Sequence, residues 1–344
     1  MTTSHPHGRV RQQTGRWSGE LARLEAVSAI DWLLDSDPAI RWQTLRDLAD
    51  APPDRVAAER ARVTTEGWGA RLLALEGDDG QWEGGALFPA RDGQPLPWTR
   101  EEGQPWSATA YSLVQLMDFG ADPADERIRR AIALVQANAR WEHEGQPFFE
   151  GEVEACINGM VVALGAYFGV DVDAVVARLV DEQLEDGGWN CEVEIGSVRS
   201  SFHSTIRVLE GLAGHEHATG GTPAATAARR RAEAYLLERR LLRRLSTGEI
   251  VDPDYLLLAY PTRWHYDVLR GLEYFRATGE RPDPRMDEAL AVLRSKEQAD
   301  GTWLLERVWK GATPFAVDDG VGKPSRWNTL RALRVLRWAD GATG

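Results

Sequence analysis

The sequence predicts an all-α fold, an (α/α)6 toroid of six outer and six inner helices, and three observations predict it. Apolar residues recur with helical period in stretch after stretch, and none keeps a strand's alternation. The stretches pair as outer helix, loop and inner helix, with a repeat of roughly 45–65 residues. The first and last inner helices, RWQTLRDL at 41–48 and RWNTLRAL at 326–333, are nearly identical. A linear solenoid ends in atypical polar caps, so matching ends fit a ring whose first and last units are neighbours.

Residues 1–18 are polar, with His5 and His7, and are expected to form a disordered tail; residues 19–344 form the single toroid. LARLEAVSAIDWLLD carries an apolar stripe at Leu21, Leu24, Val27, Ile30 and Leu34. Asp37 and Pro38 are a start signal for the inner helix that follows. A second outer helix is expected over 56–75, then a loop with DDGQW, then WSATAYSLVQLMDFG. ERIRRAIALVQAN pairs with EACINGMVVALGAYFG, and VDAVVARLVDEQLED with FHSTIRVLEGL. The last two pairs are ARRRAEAYLLERRLLRR with RWHYDVLRGLEYF, and MDEALAVLRSKEQ with SRWNTLRALRVLRW. Gly165, Gly169, Gly211 and Gly271 fall where helices pack closely or end.

Composition narrows the function. The net charge of -13 argues against nucleic acid as a partner, because phosphate binding needs a basic surface. Two cysteines make no disulfide framework, the N-terminus lacks the apolar core of a signal peptide, and no apolar run approaches the ~20 residues that span a bilayer. The expectation is a reduced, cytoplasmic protein of open oligomeric state.

The chemistry concentrates in residues 148–212, which hold Cys156, Cys191 and His203. Inner helices align so that Trp42 precedes Arg46 by one turn, as Trp327 precedes Arg331, His203 precedes Arg207 and Tyr266 precedes Arg270. These arginines have two readings. Either they pair with acids such as Glu210 and brace the ring, or they aim at an anion in an aromatic-walled cavity that Trp106 also lines. Thiolate and imidazole are preferred zinc donors. Cys156, Cys191 and His203 come from adjacent units at one end of the ring, and His265 is a fourth candidate there.

The loops before three inner helices read DDGQW at 78–82, Q-LEDGGW at 183–189 and Q-ADGTW at 298–303. They resemble the QW motif of squalene and oxidosqualene cyclases, and the span from about 20 to 340 resembles the terpenoid cyclase/protein prenyltransferase superfamily. The resemblance implies an isoprenoid or other apolar substrate in a central aromatic cavity. In the hopene-forming branch the acid is the middle aspartate of D-x-D-D. Here Ala316-Val317-Asp318-Asp319 is nearest, which puts Asp318, with Asp319, at the acid position while Ala316 replaces the first aspartate. The prenyltransferase β subunit holds zinc with a D-x-C motif and a later histidine, which would carry over to Glu154, Cys156 and His203, with glutamate for aspartate. Two functions follow: an enzyme, zinc-assisted or using Asp318 or Asp319 as acid, with Arg46, Arg207, Arg270 and Arg331 holding a diphosphate or carboxylate head, or a non-catalytic toroid that holds a lipid or docks a protein.

Overall fold

The computed structural model describes residues 29–341. The expected tail, with His5 and His7, and most of the first outer helix lie outside the described residues; residues 29–34 are helical. The described residues are all-α apart from a minimal hairpin, Ala90–Arg91 with Gln94–Pro95, turned by Asp92 and Gly93 at positive φ.

The inner helices are α1 (Pro38–Asp47), α4 (Thr109–Phe119), α6 (Ala155–Phe168), α8 (Phe202–Thr219), α10 (Val268–Ala277) and α12 (Arg326–Gly341). The outer elements between them are α2 (Pro53–Ala61) with α3 (Gly67–Leu73), α5 (Glu126–Asn138), α7 (Asp173–Asp181), α9 (Pro223–Glu238) and α11 (Asp287–Ser295). Each inner helix packs on the next, and α12 returns to α1. Arg334 of α12 donates to Gln43 of α1 at 2.8 Å, and Arg337 clamps Asp50 at 2.6 Å. The near-identical terminal helices are therefore neighbours, and the inner helices form a closed circuit.

The single helix expected over 56–75 is two, because Asp37 holds the break. Its carboxylate accepts from Ala39 N–H, capping α1, and from Trp68 N–H at 2.7 Å in α3. Gly67 has φ +64, and a Cβ there would fall 2.0 Å from the same carboxylate. The break swings Trp68 against Phe119 and Trp327 of the inner layer.

Helices α6 and α8 make the closest approach in the ring. A Cβ on Gly159 would meet the Val208 backbone at 2.7 Å, and one on Gly211 would meet the Gly159 carbonyl at 2.4 Å. Residue 159 faces 208 and 211, and 162 faces 211, so the two helices run parallel in register.

The three tryptophan loops share one hydrogen-bond pattern. The indoles of Trp82, Trp189 and Trp303, all fully buried, donate to Leu72, Leu179 and Leu293, each ten residues earlier on the outer helix. Their backbone N–H groups donate to Thr109, Thr205 and Thr329 on the next inner helix. One tryptophan thus closes an outer-helix C-terminus, whose last carbonyls lack helical partners, and ties it to the inner layer. Trp303→Phe is expected to cost about 1–3 kcal/mol, because the Leu293 carbonyl is left buried and unpaired; urea melts of both proteins measure it. Among the described residues no helix is long and apolar enough to cross a membrane.

Candidate active site

The inner helices surround a cavity of about 800 Å3. From α4, Tyr111, Val114 and Asp118 face it, one helical stripe; from α8, Arg207, Glu210, Gly214 and His217 do the same. Trp42, Tyr260 and Trp327 supply aromatic wall, with Tyr260 stacked on Trp327 at 4.4 Å and 15°. Gly120 ends α4 at φ +83, and a Cβ there would strike the Trp42 ring at 2.1 Å. The glycine that caps α4 therefore seats the Trp42 ring of α1.

Eight arginines and three carboxylates line this space. In a chain of net charge -13, that local excess of positive charge makes a field that favours anions over cations. Most of the arginines are already engaged. Glu210 accepts from Arg270 at 2.6 and 2.7 Å and from Arg207 at 3.2 Å. Glu273 accepts from Arg331 at 2.6 Å and from Arg334. Arg46 pairs with Asp47 and lies 4.5 Å over the Trp42 ring. Bracing by acids is what Arg207, Arg270 and Arg331 do in this structure. Although each carboxylate is partly buried, the flanking guanidiniums hold Glu210 below its ordinary pKa and Glu273 down to about 2.

Asp118 differs from both. Among the described residues its carboxylate has no hydrogen bond or ion pair, and burial pushes its pKa up to about 6 despite Arg207, Arg331 and Arg270 nearby. It is a carboxyl that titrates near neutrality in a chamber walled by aromatic rings and arginines, a combination that suits an acid–base catalyst. Sequence reasoning missed it. The available signal was an acid in the otherwise uncharged helix TAYSLVQLMDF, on the same face as Tyr111 and Val114.

Trp42, Arg46, Arg207, Arg270, Trp327 and Arg331 line the cavity as expected from their spacing. Trp106, Tyr266, Asp318 and Asp319 do not. Tyr266 precedes the Asp267 cap of α10 instead of lying on the helix; it is buried among Phe202 and Tyr255 and donates to the Leu241 carbonyl at 2.6 Å. The Trp106 indole donates to the Lys310 carbonyl at 2.8 Å, behind Tyr111. Asp318 accepts from the Ser325 hydroxyl at 2.8 Å and from Arg326 N–H at 3.2 Å, anchoring the start of α12. Burial pushes its pKa up to about 7, but it faces that helix start, and Asp319 is exposed. A raised pKa at a helix start is a packing consequence and places no acid beside a substrate.

The soft donors divide into two groups. Glu154, Cys156 and Cys191 bring their ligand atoms within 4.8 Å of one another. Cys191 Sγ accepts from Cys156 N–H and from the Ser204 hydroxyl, both at 3.2 Å. His203 turns away, its ring meeting Tyr255, Trp264 and His265. Its Nδ1 accepts Tyr266 N–H at 2.8 Å, so the neutral ring carries its proton on Nε2 and offers no free lone pair to a metal. His265 is sandwiched between Trp264 and Trp309, at 3.6 and 3.3 Å. Burial pushes both imidazoles down, His203 to about 4 and His265 to about 2. The remaining trio fits a soft divalent cation by donor type. Cys156 is pushed up by Cys191, by burial and by Glu154, as for donors crowded together without a counter-charge. The trio is not part of the cavity lining.

No protein-family model matches the chain. No curated protein sequence matches it. It is similar along nearly its whole length to a solved terpene cyclase. The apo structure of the type II terpene cyclase MstE from Scytonema is 16% identical, with 94% of this chain and 98% of that chain covered and a TM-score of 0.45. An aspartate-to-asparagine variant of MstE, in complex with its substrate geranylgeranyl dihydroxybenzoate, matches at 16% identity, the same coverage and a TM-score of 0.41.

Proposed function

We propose that the chain is an acid–base enzyme that isomerises or cyclises an isoprenoid or other apolar chain bearing an anionic group, with Asp118 as the proton donor. The observation that carries this is the unpaired, pKa-raised Asp118 carboxyl in an aromatic cavity of net positive wall. A pKa near 6 suits transfer to an epoxide or carbonyl oxygen, or to a polarised double bond; an unactivated alkene needs a far stronger acid. Positive charge left on the chain is met by the faces of Trp327, Tyr260 and Trp42. The arginine excess opposes such a cation, so an anion bound with the substrate is a requirement of the chemistry, since it offsets that field. Asp118 regains its proton when the rearranged chain gives one up, so the reaction needs no co-reactant.

The test is incubation of the full chain with C15–C20 isoprenoid carboxylates and phosphates and their terminal epoxides. The expected result is a new chromatographic peak of unchanged mass. Binding without any such product would leave a lipid container, the non-catalytic reading.

Zinc belongs to the same reading as a proposal for Glu154, Cys156 and Cys191. A bound zinc would favour both thiolates and tie the start of α6 to the loop before α8. The expected outcome is about one zinc per chain in protein purified without chelator, lost in Cys156→Ser, with a melting temperature that falls on chelation. Metal-free wild-type protein with an unchanged melt would remove zinc and leave the Asp118 reading standing.

A further inference from the structure

Arg263 is a cavity cation that the bracing network does not use; Arg276, the other cavity arginine with neither an ion pair nor a hydrogen-bond acceptor among the described residues, is less deeply buried. It is only 5% exposed, it lines the cavity, and among the described residues its guanidinium has no carboxylate and no hydrogen-bond acceptor. Its contacts are the ring faces of Trp106 at 5.5 Å and Tyr111 at 6.0 Å. Burying a guanidinium without an anion is costly, and burial pushes its pKa down to about 10. The backbone holds it there. Residue 263 has φ +56, a region that non-glycine residues seldom adopt. Its carbonyl accepts from both Arg207 and Arg270, the two arginines that share Glu210. The bracing network thus positions a second cation that it does not neutralise. Tyr260 interacts electrostatically with Arg263 and stacks on Trp327, and among the described residues the Tyr260 hydroxyl and the Trp327 indole N–H are buried without partners. Orphaned donors around an unpaired buried cation call for an acceptor from outside the protein.

We propose that Arg263 is the head-group anchor of the cavity: the carboxylate or phosphate of an otherwise apolar substrate docks on its guanidinium, with the Tyr260 hydroxyl as a second donor. The assignment rests on the reading of the cavity as a substrate site. It differs from the alignment of arginines in the sequence, because Arg207, Arg270 and Arg331 are occupied by Glu210 and Glu273. It also couples binding to chemistry. Asp118 is close enough to raise the Arg263 pKa, so an anion seated on Arg263 adds negative charge near Asp118 and favours its protonated form. The substrate's own head group then loads the acid.

The experiment titrates the full chain with farnesyl phosphate, farnesoate and farnesol, read by quenching of tryptophan fluorescence from Trp42 and Trp327. These probes share one apolar chain and differ in the head. Wild-type protein is expected to bind one or both anions about ten- to a hundred-fold more tightly than the alcohol. The stronger arm identifies the head as phosphate or carboxylate. Arg263→Gln is expected to bring the anions to the affinity of farnesol, which itself stays within about two-fold. Arg263→Lys, which keeps the charge but loses the fork, is expected to retain part of the preference. An undiminished preference in Arg263→Gln overturns the assignment, as does equal binding of all three probes by wild type. If circular dichroism shows Arg263→Gln unfolded, Arg263→Lys decides: a reduced preference supports the assignment and an unchanged one overturns it. Failure of every probe to bind would overturn the substrate-site reading as well, whereas loss of turnover alone would leave Arg263 as the anchor.

Discussion

Asp118→Asn is expected to lower kcat by about 10²–10⁴-fold, the usual worth of a positioned general acid, with little change in the affinity for an anionic isoprenoid. Asparagine fills the same volume and stays neutral, so the aromatic wall and Arg263 remain as they are. The pH dependence gives a second check. The acid form of Asp118 in the free protein titrates at about 6, so wild-type kcat/KM should fall as pH rises through that value. Stability carries the same signature. A carboxyl whose folded pKa is raised above its ordinary value of 3.8 contributes stability that is complete below that value and is lost as pH rises through about 6. Asparagine mimics the protonated form, so the variant should melt about 2–6 °C above wild type at pH 8 and level with it at pH 4. A variant of unimpaired kcat, or a pH profile flat from 5 to 7, would remove Asp118 from the mechanism.

The second large effect is on stability. Glu273→Gln should cost about 3–5 kcal/mol, because it takes from buried Arg331 its ion-pair partner and leaves Arg334 only the longer 3.3 Å pairing with Asp47. The sign with pH is opposite to that of Asp118. The arginines hold Glu273 down to about 2 from an ordinary 4.5. Its stabilisation is therefore present above 4.5 and lost as pH falls towards 2. The gap between wild type and variant in urea melts should be widest at pH 6–8 and narrow towards pH 3. Adding Arg331→Met to the variant should recover part of the loss, since an apolar side chain removes one stranded charge. Equal midpoints at pH 7 would mean that solvent, not Glu273, satisfies these arginines.

How much was legible from sequence depends on the range of the interaction. The helices, their pairing and the adjacency of the two RWxTLR ends follow from local periodicity and were readable. So were Trp82, Trp189 and Trp303 as equivalent positions, because each repeats its spacing to a helix end. The broken second outer helix was not readable, because its cause is the Asp37 carboxylate reaching Trp68 from the preceding hairpin. Tyr266 carried the right spacing to Arg270, yet the helix begins after it at the Asp267 cap, so the shared-face argument did not apply. Cys156 and Cys191 met as the sequence suggested, together with Glu154. His203 did not join them, because one backbone N–H fixes its tautomer and its ring direction.

The sequence by itself determined the class of fold, the order of its helices and the list of side chains able to face the centre, since each depends on residues within a turn or a repeat of one another. Tertiary structure alone decided which of those side chains remain unspent. Glu210 and Glu273 neutralise arginines some 60 residues away, and among the described residues that pairing leaves neither Asp118 nor Arg263 in an ion pair. Ionisation is set by everything that surrounds a group in space, which no spacing along the chain records.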